Sequence, residues 1–161
     1  MGQDIKLKAS DGFELGAYRA EPTSAPKGAV VVIQEIFGVN HHIRSVCDRL
    51  AREGYVAIAP SIFDRITPNF QSGYSPDEVA EARKFVANPD FAAMLRDSQA
   101  AIDAVKPVGP VGIIGFCLGG SIAYAAATKL SGLSAAIGYY GGAIIRFADD
   151  KPEIGRASCR E

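Results

Sequence analysis

The chain has 161 residues, 48% of them hydrophobic and 22% charged, with a formal net charge of −1 and a pI near 6.1. That is one domain's worth of chain with enough apolar residues for a real core, and no basic stripe for nucleic acid or acidic tail. No apolar run is long enough to span a bilayer, the start MGQDIKLKAS lacks a signal-peptide core, and Lys6 stands where myristoylation wants Ser or Thr. Three cysteines, Cys47, Cys117 and Cys159, form no CxxC pair and no metal-ligand cluster. The expectation is a reduced, cytoplasmic protein with no metal and no cofactor.

In chain order, DIKLKAS alternates polar and apolar residues, DG turns, and FELGAYRAEP alternates again, which predicts a hairpin over about residues 4–20. GAVVVIQE (28–35) is a continuous β-branched run, as a strand buried on both faces requires. Asn40 can cap a helix whose Ile43, Val46, Cys47 and Leu50 share one face; Gly54 closes it, and YVAIAP (55–60) is the next strand. After a loop, Ser75-Pro76-Asp77-Glu78 signals a helix start, with an N-cap, proline at the first helical position and acids in the first turn. That helix is expected to reach about Ala87. A second, turning Phe91, Leu95, Ile102 and Val105 inward, ends before Pro107. VGIIGF (111–116) reads as a buried strand, 117–130 as an alanine-rich helix, and LSAAIGYYG (133–141) as a further strand. The alternation makes this an α/β chain with a mostly parallel sheet covered by helices on both faces. The tail ADDKPEIGRASCRE has neither an apolar run nor a helical period.

At the corner between the strand 111–116 and its helix, Gly115-Phe116-Cys117-Leu118-Gly119 has the spacing of a nucleophile elbow, with cysteine in the serine position. The turn is so tight that glycines two residues either side must let the neighbouring chain pass, and the nucleophile stands above the sheet's C-terminal edge. The helix N-terminus behind it favours a thiolate and a substrate oxyanion. Other readings of these glycines fare worse. A phosphate-binding loop needs Lys-Ser/Thr where Ser121-Ile122 stand, and a dinucleotide fingerprint needs glycine where Cys117 stands. A small buried residue packing a tight turn remains the structural alternative.

These residues resemble the dienelactone hydrolase (carboxymethylenebutenolidase) family, a cysteine branch of the α/β-hydrolase fold. QEIFGVN (34–40) resembles the family's oxyanion-loop segment, REGYVAIAPSIFDR the strand and loop after it, and GYYGG (138–142) the strand beyond the nucleophile helix. The resemblance covers roughly residues 4–153 and implies Cys117 as nucleophile, with the backbone N–H groups of Leu118 and Ile36 as the oxyanion hole. It makes Glu35 the buried carboxylate in contact with the resting thiol, and Gly115 and Gly119 the elbow glycines. The implied substrate is a small ester or lactone with a stabilised leaving group, such as an enol lactone. An arginine would hold the substrate carboxylate, but Arg65 and Arg83 both read as solvated charges.

The family pattern places an Asp and then a His after the nucleophile. Here Asp149 and Asp150 come too early, and the histidines, His41 and His42, precede Cys117. The expectation is a partial domain over 1–153, lacking the C-terminal strands and helix, followed by an atypical tail at 154–161. Turnover would be impaired on the order of 10⁴-fold or more by loss of a triad member. The strand at 133–141 would become an exposed sheet edge through which chains self-associate. A non-catalytic α/β domain and a thiol redox sensor are the alternative functions.

Overall fold

The structure, a computed structural model, describes residues 2–147. The proposed boundary at 153 and the atypical tail lie outside the described residues. Strands β1 (Gln3–Lys8) and β2 (Glu14–Ala20) form the expected hairpin. They are followed by β3 (Ala29–Ile33), α1 (His41–Arg52), β4 (Val56–Pro60), α2 (Pro76–Lys84), α3 (Phe91–Val105), β5 (Val111–Phe116), α4 (Leu118–Lys129) and β6 (Leu133–Tyr139). The strands make one six-stranded sheet in the order β1-β2-β4-β3-β5-β6. β4, β3, β5 and β6 run parallel, and the hairpin joins antiparallel through β2.

The period of two in the central strands divides the core. Val31, Ile33, Val56 and Ile58 point to the face covered by α3 and α4, where they meet Leu95, Ile102 and Ile122. Val32, Ala57 and Ala59 point to the other face, against Ile43, Val46 and Cys47 of α1. Because both faces are covered, β4 is buried at all five positions and reads as an unbroken apolar run. The capping signals act as their chemistry suggests. Asn40 Oδ1 accepts from the Ile43 amide at 3.3 Å, and Ser75 and Glu78 form a reciprocal capping box at the start of α2.

Three boundaries differ from the sequence expectation by more than one residue. β3 stops at Ile33, leaving Gln34 and Glu35 beyond the ladder, and α2 stops at Lys84. β6 stops at Tyr139 because Tyr140 has φ +40°, outside any strand conformation. β6 lies at the edge of the described sheet, and none of its residues reaches full burial, unlike those of β4.

Candidate functional site

One residue makes the turn between β5 and α4. Cys117 has φ 55° and ψ −114°, a conformation that a side chain adopts only at a cost of about 1–3 kcal/mol. Its surroundings leave it no alternative. The Cys117 amide donates to the Tyr139 carbonyl at 3.0 Å, and its own carbonyl accepts from the Ser121 amide at 3.3 Å. The glycines around it sit in backbone contact. A Cβ on Gly115 would lie 1.9 Å from the Gly119 carbonyl oxygen, one on Gly119 2.4 Å from that of Ile33, and one on Gly120 2.3 Å from that of Tyr139. Sequence spacing therefore marks a real steric requirement: strand, helix and the two neighbouring strands approach too closely for any side chain. The Cys117 side chain caps nothing and is half-buried.

β3 and β5 pair in parallel with Ile33 opposite Gly115, so residues 34–36 leave the sheet at the same edge as Cys117. The Leu118 amide belongs to the first turn of α4, where no intrahelical acceptor exists. Ile36 lies in the loop after β3, and no acceptor among the described residues takes its amide.

Glu35 is half-buried, and its carboxylate accepts a hydrogen bond from the Tyr140 hydroxyl at 3.2 Å. Among the described residues the hydrogen-bonding partner of the Glu35 carboxylate is thus this phenol. The reason is the bend after β6, where Tyr140 takes a left-handed conformation that swings its hydroxyl over the β3 end. Partial burial of the hydroxyl, together with the negative charge of the adjacent Glu35 and its hydrogen bond, pushes the phenol up to about 12. The ring is otherwise exposed (66%), and that of Tyr139 stacks on Phe116 with centroids 5.3 Å apart. Sequence reading missed Tyr140 as a site residue, although GYYGG was there to be noticed.

The remaining residues are placed elsewhere. His41 and His42 are exposed on the first turn of α1, with the His42 ring edge-on to Phe116 at 6.1 Å. Arg65 is not a solvated charge: it makes paired bonds to the fully buried Asp97, a second pair to Asp11, and covers the Phe13 ring at 4.3 Å. Arg83 is exposed on α2. Cys47 is fully buried on the inner face of α1, and burial pushes its thiol up to about 12. Among the described residues no three His, Cys, Asp or Glu side chains converge as metal ligands would, and no helix is long and apolar enough to cross a membrane.

The sequence model of the dienelactone hydrolase family matches residues 15–157. A Synechocystis protein assigned to the carboxymethylenebutenolidases is 42% identical over 151 residues, spanning 89% of this chain and 61% of the relative. The carboxymethylenebutenolidase of Pseudomonas putida is 32% identical over 157 residues, spanning 94% of this chain and 66% of the enzyme. A crystal structure assigned to a dienelactone hydrolase of Klebsiella pneumoniae superposes with a TM-score of 0.71 at 34% identity, over 88% of this chain and 60% of that one. This chain thus spans less than two thirds of the length of each of these three relatives. With the elbow geometry, the strand order and these matches in agreement, the chain belongs to the dienelactone hydrolase family.

Proposed function

We propose that this chain carries the nucleophile and oxyanion half of an ester or lactone hydrolase, with Cys117 as the nucleophile. The observation that carries the reading is the strained backbone of Cys117. A structural cysteine has no need of φ 55°, whereas a nucleophile held at the head of a helix does. In the proposed reaction the thiolate attacks the ester carbonyl, a C–S bond forms, and the carbonyl π pair moves to oxygen. The amides of Leu118 and Ile36 and the N-terminus of α4 stabilise that oxyanion. Collapse of the intermediate expels the leaving alkoxide or enolate and leaves a thioester. At rest the Glu35 carboxylate is held by the Tyr140 hydroxyl, and the thiol proton passes to solvent, with the N-terminus of α4 favouring the thiolate that remains. Gly115 and Gly119 are the elbow glycines that make the approach possible.

The P. putida relative is named for a butenolide, an unsaturated lactone. A small enol lactone or similarly activated ester suits a thiolate here too, because its leaving group departs as a stabilised anion. Neither of the two histidines contacts Cys117 by hydrogen bond among the described residues, so this stretch by itself acylates but turns over slowly. The β6 edge of the described sheet is proposed to associate with another chain.

The test is the reaction with p-nitrophenyl acetate, followed by peptide mapping. A burst of nitrophenolate with the acetyl group on Cys117, lost in Cys117→Ala, is the expected result. Equal labelling of Cys117→Ala refutes the assignment. A Cys117 that is oxidised by peroxide yet never acylates identifies a redox thiol instead.

A further inference from the structure

Gln34 follows the last ladder residue of β3 and is wholly excluded from solvent. A primary amide tolerates such a place only when both of its ends are bonded. Both are: its Oε1 accepts from the Ile62 amide at 3.2 Å, and its Nε2 donates to the Glu35 carbonyl at 3.1 Å. The reverse orientation would set N–H against N–H and oxygen against oxygen, so the two partners fix which end points where. The Ile62 bond ties the side chain to the segment just past β4. On the opposite side, the backbone of Gln34 lies under Gly119, whose Cβ would come within 2.6 Å of the Gln34 carbonyl oxygen.

The Glu35 carbonyl and the Ile36 N–H belong to one peptide unit, and none of the described peptide bonds is cis. In a planar trans peptide the two groups point in opposite directions. Anchoring the carbonyl on Gln34 therefore turns the Ile36 N–H away from the core, and no described acceptor takes it. Neither hydrogen bond of Gln34 helps the sheet ladder, which has already ended at Ile33. From this juxtaposition we propose that Gln34 is a positioning residue for oxyanion stabilisation: its buried amide sets the Glu35–Ile36 peptide so that the Ile36 N–H is presented to the oxyanion formed at Cys117. The proposal rests on the hydrolase reading given above and adds to it the residue that orients one of the two donors.

Two reactions of the same thiolate separate orientation of the amide from reactivity of the sulfur. With p-nitrophenyl acetate, after the thiol proton passes to buffer, the sulfur adds to the carbonyl, an oxyanion forms, and p-nitrophenolate leaves. With iodoacetamide the sulfur displaces iodide directly, and no oxyanion arises. Gln34→Met removes both hydrogen bonds with little change in volume and is expected to slow acylation on the order of 10²-fold while leaving the alkylation rate of Cys117 unchanged. Gln34→Leu likewise removes both hydrogen bonds and places an apolar side chain in the same buried position. It is expected to slow acylation as much, and it decides the matter should Gln34→Met fail to fold. Acylation at the wild-type rate in either folded variant overturns the proposal, and so does a parallel fall in acylation and alkylation. A wild-type chain that alkylates at Cys117 but never acylates there refutes the hydrolase reading itself, and this proposal with it.

Discussion

Gly119→Ala is the sharpest test of the geometry around Cys117. The added Cβ would sit 2.4 Å from the carbonyl oxygen of Ile33, 2.6 Å from that of Gln34 and 2.8 Å from the Ile33 carbonyl carbon, where ordinary contact begins at 3.4 Å. About 1 Å must be made up, and no flexible side chain can yield it. The atoms in the way are backbone at the end of β3, and Ile33 is held in register opposite Gly115. The helix or the strand end must move, at about 3 kcal/mol, the upper range for overpacking a well-filled site. In a domain of this size that lowers the melting temperature by roughly 6–12 °C. Gly142→Ala is the control, because a Cβ there meets nothing within 4 Å, and it is expected to stay within about 0.5 kcal/mol of wild type. Urea unfolding followed by circular dichroism measures both. Equal stability of the two variants would refute the claim that α4 lies in backbone contact with β3. The same displacement moves the elbow away from residues 34–36, so acylation of Cys117 should fall further than stability alone accounts for.

Two further outcomes follow from buried groups. Arg65→Met leaves the fully buried Asp97 without its guanidinium and is expected to cost about 3–5 kcal/mol, whereas Arg65→Met combined with Asp97→Leu should recover most of that loss; urea unfolding of the single and double variants checks this, and additive losses would contradict it. Cys47 gives a pH dependence. Its folded thiol is pushed from 9.0 up to about 12 by burial, so the unfolded chain loses this proton first as pH rises. Stability from this group is full below pH 9 and declines between pH 9 and about 12, by up to about 1.4 kcal/mol per pH unit. Cys47→Ala should flatten that decline in unfolding measured across the alkaline range, and an unchanged slope would show the thiol to be accessible.

Local chemistry made much of this fold legible before any coordinates. Asn40, Ser75 and Gly54 act through their nearest neighbours in sequence, so their caps and turns could be read directly. The unbroken apolar strands announced a sheet covered on both faces, because burial on both sides leaves no polar period to see. The elbow was equally visible, since the requirement for glycine at 115 and 119 is a steric one expressed at fixed spacing. Long-range pairing could not be read this way. Arg65 looked like a surface charge until the fold brought Asp97 from α3 and Asp11 from the hairpin turn to it. Tyr140 lies more than a hundred residues from the Glu35 that it holds. Gln34 looked like one more strand residue, yet Ile62 of the next strand's loop and the close approach of α4 decide where its amide points. Periodicity and capping depend on residues a few positions apart, so sequence alone determined the elements and the elbow. The partners of a buried polar group come from whichever segments the chain folds against it, and only the tertiary structure decided those.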